Sequence, residues 1–89
     1  MFRFVINPKY IKLLSEIRYN EKTMKELSKK CGMNYYHLTE VLNQFYKEGI
    51  IIKTNIKNTY HISLTDKGKN ITDHLLEIQN ILKEDNEND

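Results

Sequence analysis

The sequence has few of the residues that cross-link or break a chain: one cysteine, one proline and three glycines among 89 residues. A single cysteine cannot form a disulfide within the chain, which favours a reducing, cytoplasmic environment. No apolar run approaches the roughly 20 residues that a membrane-spanning helix needs. The opening segment is interrupted by Pro8 too early for a signal peptide. The sequence therefore predicts a cytoplasmic protein of a single domain, with no membrane partner.

Catalytic and metal-binding patterns are also missing. The sequence contains no glycine-rich phosphate loop, no nucleophile elbow and no paired catalytic carboxylates. Its three histidines, His37, His61 and His74, lack the spacing of a metal site. Cys31 follows Leu27 by one helical turn, which favours a packed residue over a redox sensor. We therefore predict no enzyme activity, no metal and no cofactor.

Charge is distributed unevenly along the chain. Residues 1–60 contain eleven lysines and arginines against five acidic residues, whereas residues 61–89 contain three against seven. The net charge of +2 thus combines a basic front with an acidic rear. A basic surface over the first two thirds of the chain suits contact with a polyanion.

Two helices are predicted in the first third of the chain. Asn7, a capping residue, and Pro8, which is favoured at the first helical position, begin a helix that ends near residues 20–22. A capping-box pair then opens a second helix over residues 24–31, and a glycine closes it. The three residues that give this signal are Thr23, Glu26 and Gly32. Residues 1–6 are compatible with a short strand or an arm.

A third helix and a hairpin are predicted next. The helix extends from the cap Asn34 to Gly49, and its apolar residues recur at i, i+3, i+4 and i+7. This buried stripe consists of Leu38, Val41, Leu42 and Phe45. Residues 50–53 and 60–64 are predicted to form two strands, and residues 55–58 supply the turn between them. Helix, turn, helix and hairpin in this order are typical of a DNA-binding winged helix.

The last predicted helix spans residues 66–83. Its apolar residues are spaced by four, three and four positions, as in the seam between two paired helices. A core this small favours self-association, so we predict a homodimer in which these helices pair. The candidate interface residues are Ile71, Leu75, Ile78, Ile81 and Leu82. Residues 84–89 have no apolar side chain and are predicted to be a disordered acidic tail.

Five segments resemble those of MarR-type winged helices: Glu26-Leu27, Gly32-Met33-Asn34, the run from Leu38 to Phe45, Gly49-Ile50-Ile51 and Leu64-Thr65-Asp66-Lys67-Gly68. The chain is still more similar to small archaeal DNA-binding proteins that dimerise through one long C-terminal helix. This resemblance implies a mainly α fold with a small β-wing, a winged domain over residues 1–65 and a dimerisation helix over residues 66–83. It also implies double-stranded DNA as the partner.

The third helix supplies most of the residues expected to contact DNA. Asn43 suits a bidentate contact with adenine, and Glu40 can accept a hydrogen bond from cytosine. Lysines on the helix and in the hairpin suit phosphates. The candidate DNA-binding residues are Lys25, Asn34, Tyr35, Tyr36, Thr39, Glu40, Asn43, Lys47, Lys53 and Lys57.

The sequence leaves more than one function open. The leading hypothesis is a homodimeric DNA-binding protein, either a transcription regulator or a small chromatin-like protein. The alternative is a winged helix used for protein assembly, in which the basic face has no specific DNA target. A small-molecule effector is not expected, because the chain is short of the extra dimer helices that frame ligand pockets in MarR-type proteins.

Overall fold

The computed structural model describes residues 7–87, and their side chains as far as residue 83. This part of the chain contains four helices and a three-stranded antiparallel sheet, which confirms the predicted α+β class. The arm or strand expected for residues 1–6 lies outside the described residues, as does the end of the predicted acidic tail.

The first helix, α1, spans Pro8–Glu16 and begins as predicted. The Asn7 side chain accepts a hydrogen bond from the Lys9 amide at 2.9 Å. The helix ends several residues before the predicted position, because the amides of Ile17 and Arg18 bond to carbonyls three residues earlier and tighten the last turn.

The second helix, α2, spans Met24–Cys31 and has both predicted end signals. Thr23 Oγ1 accepts from the Glu26 amide at 3.2 Å, and the Thr23 amide donates to Glu26 Oε1 at 3.1 Å. Gly32 follows with a positive φ of 62°, which reverses the chain at low steric cost. The capping box and the glycine cap are therefore confirmed.

The third helix, α3, spans Tyr35–Lys47 and carries the main buried stripe. Leu38, Val41, Leu42 and Phe45 are each at most 2% exposed, which confirms the predicted core face. The α3 stripe packs in a single core with residues of α1, α2 and the strands. One face of α3 is thereby fixed against the domain, and the opposite face is left in solvent.

The hairpin consists of β2, Ile51–Ile56, and β3, Thr59–Leu64. A further strand, β1, comprises only Lys22–Thr23 and pairs with the other edge of β3, so that the sheet order is β1-β3-β2. From the sequence, Lys22 was predicted to end the first helix and Thr23 to cap the second. The strand was missed because two residues cannot show an alternating pattern.

The turn of the hairpin is shorter than predicted. Lys57 and Asn58 alone form it, with φ values of 50° and 65°, which are the values of a type I′ hairpin turn. Asn55 and Ile56, predicted as turn residues, are paired in the sheet opposite Tyr60 and Thr59. The wing, defined here as β2, β3 and this turn, therefore remains a regular ladder up to its tip.

The last helix, α4, spans Asp66–Glu87 and begins against the end of the wing. Thr65 Oγ1 accepts from the Gly68 amide at 2.9 Å and donates to the Gly49 carbonyl at 2.6 Å. A Cβ atom at Gly68 would overlap the Ile50 carbonyl oxygen. The sequence Leu64-Thr65-Asp66-Lys67-Gly68 thus joins α4 rigidly to the residues between α3 and β2.

The structure of α4 differs from the prediction in which residues of the stripe are exposed and in where the helix ends. Leu75, predicted in the dimer stripe, is 8% exposed and belongs to the core of its own chain. Ile71 packs against the same core, because this half of α4 lies along α1. The helix also continues past residue 83, so residues 84–87 are helical rather than disordered. No glycine or proline follows Gly68 to interrupt it.

Candidate nucleic-acid interface

The exposed face of α3 presents four polar side chains in a row. Tyr36, Glu40, Asn43 and Lys47 recur at helical spacing, and all four are exposed, Tyr36 by 75%. This placement is the one expected from the sequence, since the four residues lie opposite the buried stripe. A helix with one buried face and one polar face has the form needed to enter the major groove.

Two residues at the start of α3 are engaged within the helix itself. Asn34 is the cap, and its Oδ1 accepts from the His37 amide at 2.8 Å. Thr39 is half-buried, and its hydroxyl donates to the Tyr35 carbonyl at 2.8 Å. The structure therefore gives Asn34 and Thr39 local structural roles, whereas Tyr35 and Tyr36 remain exposed beside them.

Tyr36 and Glu40 form a pair one helical turn apart. The Tyr36 hydroxyl donates a hydrogen bond to the Glu40 carboxylate, and this bond, together with the negative charge, raises the pKa of Tyr36 above its ordinary value of 10.0. Tyr36 is therefore neutral at physiological pH. The pair presents carboxylate oxygens, which accept hydrogen bonds, at this end of the helix.

Lys53 connects the wing to α3. Its Nζ atom donates to Asn43 Oδ1 at 2.8 Å and lies 4.8 Å from the centroid of the Tyr46 ring. In β2, Lys53 is directly opposite Ile62, which is buried, so the lysine stem leaves the sheet on the side that faces α3. Lys53 and Asn43 were predicted from the sequence as separate DNA contacts, and Tyr46 was not predicted. The spacing of three between Asn43 and Tyr46 was the available signal.

A groove of about 270 Å³ lies between α3 and the wing. Tyr60 of β3, predicted only as a strand residue, closes one side of the groove and is 49% exposed. The residues around this groove are Met24, Tyr35, Thr39, Leu42, Asn43, Lys53 and Tyr60. The structure thus brings four of the predicted DNA-binding residues to one concave surface.

The remaining predicted lysines belong to three different elements. Lys25 follows the first residue of α2, Lys47 ends α3 and Lys57 occupies the wing turn, and all three are exposed. Their contact with phosphates remains a prediction.

Cys31 is half-buried beside the core. Burial raises the pKa of its thiol above 9.0, and nearby Glu16 adds to the shift. The thiol is thus protonated at neutral pH, which disfavours the thiolate that redox sensing requires. Among residues 7–87, no group of three or more histidine, cysteine or acidic side chains could hold a metal ion. No helix in that range is long and apolar enough to cross a membrane.

No protein-family model matches the sequence, and no curated protein matches it either. Solved structures, however, share its fold. HlyU from Vibrio vulnificus CMCP6, a transcriptional regulator, superposes with a TM-score of 0.74 at 17% identity, over 86% of this chain and 81% of that one. NolR from Sinorhizobium fredii superposes with a TM-score of 0.75 at 22% identity, over 86% of this chain and 78% of NolR.

MepR, a transcription regulator of the Staphylococcus aureus multidrug efflux pump MepA, gives a TM-score of 0.80 at 14% identity. That superposition covers 92% of this chain and 64% of MepR. The fold is a MarR- and HlyU-like winged helix. The predicted resemblance to MarR-type winged helices is therefore confirmed for the fold. In this winged helix, α2 and α3 form the helix-turn-helix, and the β2–β3 hairpin is the wing.

Proposed function

We propose that this winged-helix protein is a DNA-binding transcription regulator that places α3 in the major groove. The observation that carries the proposal is the row of exposed polar residues on α3, backed by a fully buried stripe and flanked by the lysine-bearing wing. The structural neighbours HlyU and MepR, both transcription regulators, support the same assignment. Base edges would be contacted from α3, and phosphates from the lysines around it.

We further propose that the regulator is a homodimer. Ile78, Ile81 and Leu82 are 54%, 53% and 58% exposed on the outer half of α4. Large apolar side chains grouped on one helix end are rarely left in water. A second copy of the same helix would cover them and would give the molecule two α3 helices, one for each half of a two-fold symmetric site.

A salt titration of binding to duplex DNA tests the proposal. Neutralising several phosphates releases counterions, so affinity should fall by orders of magnitude between about 50 mM and about 200 mM salt. The double variant Lys47→Gln/Lys57→Gln should bind all sequences more weakly and show a shallower salt slope, by about one unit per lost phosphate contact.

The matched control is Lys69→Gln/Lys83→Gln, which removes the same charge from α4. Its DNA affinity should depend on salt more steeply than that of Lys47→Gln/Lys57→Gln. Equal effects of the two double variants would show that only net charge matters and would contradict the assigned surface. An absence of DNA binding at low salt would favour the alternative, a winged helix that serves protein assembly.

A further inference from the structure

Asn43 and Lys53 come from different elements and meet through a single hydrogen bond. A lysine ammonium carries donors only, so the atom of the Asn43 amide that faces it at 2.8 Å must be the oxygen. The Asn43 amino group, which carries two donors, is consequently directed away from Lys53. Asn43 is exposed, so this amino group is open to a ligand on the outer face of α3.

The pair is held in place before any ligand arrives. Lys53 is half-buried, its ammonium lies 4.8 Å from the Tyr46 ring centroid, and its backbone is paired with Ile62 in the sheet. The cation–π contact and the strand register both restrict the long lysine side chain. Asn43 is fixed by the helix whose opposite face is buried. The Asn43–Lys53 pair therefore offers a preformed set of donors.

We infer that Asn43 and Lys53 act as one unit that selects guanine at the base pair they face in the major groove. The inference rests on the DNA-binding function proposed above and adds to it a specificity-determining residue, Lys53. It also replaces the adenine contact that the sequence suggested for Asn43 alone.

The hydrogen-bonding groups of the bases explain the preference. Guanine presents two acceptors in the major groove, N7 and O6, which match the donors of the Asn43 amino group and the Lys53 ammonium. Adenine presents the acceptor N7 and the donor N6, and the usual asparagine–adenine contact needs the amide oxygen as well as the amino group. In this protein that oxygen lies beside a positive donor, so the adenine amino group would face the Lys53 ammonium. Adenine is thereby disfavoured.

Selection of binding sites from a duplex library of random sequence tests the inference. Comparison of the parent with Asn43→Ala identifies the base pair that Asn43 faces, as the position where preference is lost. The parent should select guanine there. Replacing that guanine by 7-deazaguanine, which lacks the N7 acceptor, should weaken binding of the parent about tenfold. The same replacement at other guanines in the site should have a smaller effect.

Lys53→Met is the decisive variant, because it removes the ammonium and frees the Asn43 oxygen. Preference at the identified position should shift from guanine to adenine. Lys57→Met is the matched control: it removes a wing charge that has no link to Asn43, and it should lower affinity for all sequences without changing the preference. Thermal unfolding of each variant checks that the fold is retained.

Three results would overturn the inference. The first is selection of adenine by the parent at the position that Asn43 faces. The second is an unchanged preference in Lys53→Met. The third is DNA binding with no sequence preference at all. That result would be consistent with the proposed DNA-binding function but would exclude base selection by Asn43 and Lys53. A parent that binds no duplex DNA at low salt would overturn both proposals together.

Discussion

At Gly68 the first turn of α4 lies directly against the carbonyl group of Ile50. A Cβ at this position would overlap that backbone oxygen, which is not free to move as a flexible side chain is. We expect Gly68→Ala to lower the free energy of unfolding by roughly 1–3 kcal/mol, the usual cost of forcing extra atoms into a packed site. Chemical denaturation measures the change. Asn70→Ala, an exposed substitution two residues later, is the control and should change stability far less.

Asp73 ties α4 to the segment after α1 by an ion pair. Arg18 donates from Nε to Oδ1 at 2.6 Å and from Nη2 to Oδ2 at 2.8 Å, and these bonds hold the pKa of Asp73 below its ordinary value of 3.8. Because the carboxylate is more acidic in the folded state, its contribution to stability is complete above pH 3.8. That contribution is lost as pH falls through the lower, folded-state pKa.

We therefore expect Asp73→Asn to reduce the acid-induced fall in melting temperature below about pH 4. The pKa of Glu26 is also lowered, by its hydrogen bonds to Thr23, and this carboxylate is unchanged in the variant. The melting temperature of Asp73→Asn should therefore still fall with decreasing pH, but less steeply than that of the parent. Glu77→Gln, which neutralises another exposed carboxylate of α4, is the control. If both variants show the same pH profile as the parent, the ion pair contributes nothing in solution.

At the scale of elements, the sequence correctly predicted the features that depend only on residues close by in the chain. The caps at Thr23 and Gly32 and the stripe of α3 depend only on neighbours within a few residues, and all were predicted correctly. The pairing of β1 with β3 could not be predicted, because Lys22 finds its partner Ile62 forty positions later. The division of the α4 stripe into a buried and an exposed half depends likewise on where α1 lies.

The candidate site follows the same rule. Helical spacing predicted which residues α3 exposes, since that depends on the stripe alone. It could not predict that Asn43 is already bonded to Lys53, because the bond joins two elements whose relative position is set by the core and by the sheet register. Tyr60 was missed for the same reason, because the strand pattern does not show that a groove lies beside it.

The wing turn places a lysine that we propose contacts phosphate in a left-handed backbone conformation. Lys57 has a φ of 50°, in the left-handed region that asparagine and glycine tolerate better than lysine does. We expect Lys57→Asn to raise the free energy of unfolding by about 0.5–1 kcal/mol, because asparagine tolerates the left-handed conformation better than lysine. The same change should weaken DNA binding, because it removes the charge that we propose contacts a phosphate. Denaturation and salt-titrated DNA binding measure the two effects.

Lys57→Gln separates the two effects, because it removes the charge and keeps a side chain that is unsuited to a positive φ. It should weaken DNA binding as Lys57→Asn does, with no gain in stability. A gain in stability from glutamine equal to that from asparagine would instead assign the effect to charge. Unchanged DNA binding in both variants would exclude the wing tip from the interface.

At the scale of the whole molecule, the exposed end of α4 determines the expected assembly. We expect the parent to sediment as a dimer at tens of micromolar, a concentration that detects an association free energy of about −6 kcal/mol. The double variant Ile78→Asp/Leu82→Asp should be monomeric, because it places charges in the proposed interface. Analytical ultracentrifugation measures both states.

Asn70→Asp/Asn80→Asp adds the same charge to α4 at exposed polar positions and serves as the control. It should remain dimeric. A monomeric parent would remove the dimer and, with it, the reason to expect a palindromic site. Dissociation of the control variant to the same degree would show that charge repulsion, rather than loss of apolar contact, separates the chains.

In the proposed dimer, the length of the continuous α4 helix would convert a small rotation at the interface into a displacement of the winged domain. At 1.5 Å per residue its 22 residues are about 33 Å long, and its first turn is fixed to the end of the wing through Thr65 and Gly68. From a crossing point near residue 80 to the winged end is about 14 residues, or about 21 Å, so a change of about 10° in the crossing angle would move the winged end by roughly 4 Å. That displacement is comparable to the roughly 3.4 Å rise of one base pair. The crossing angle at Ile78 and Leu82, far from the DNA, would therefore set the number of base pairs between the two half-sites.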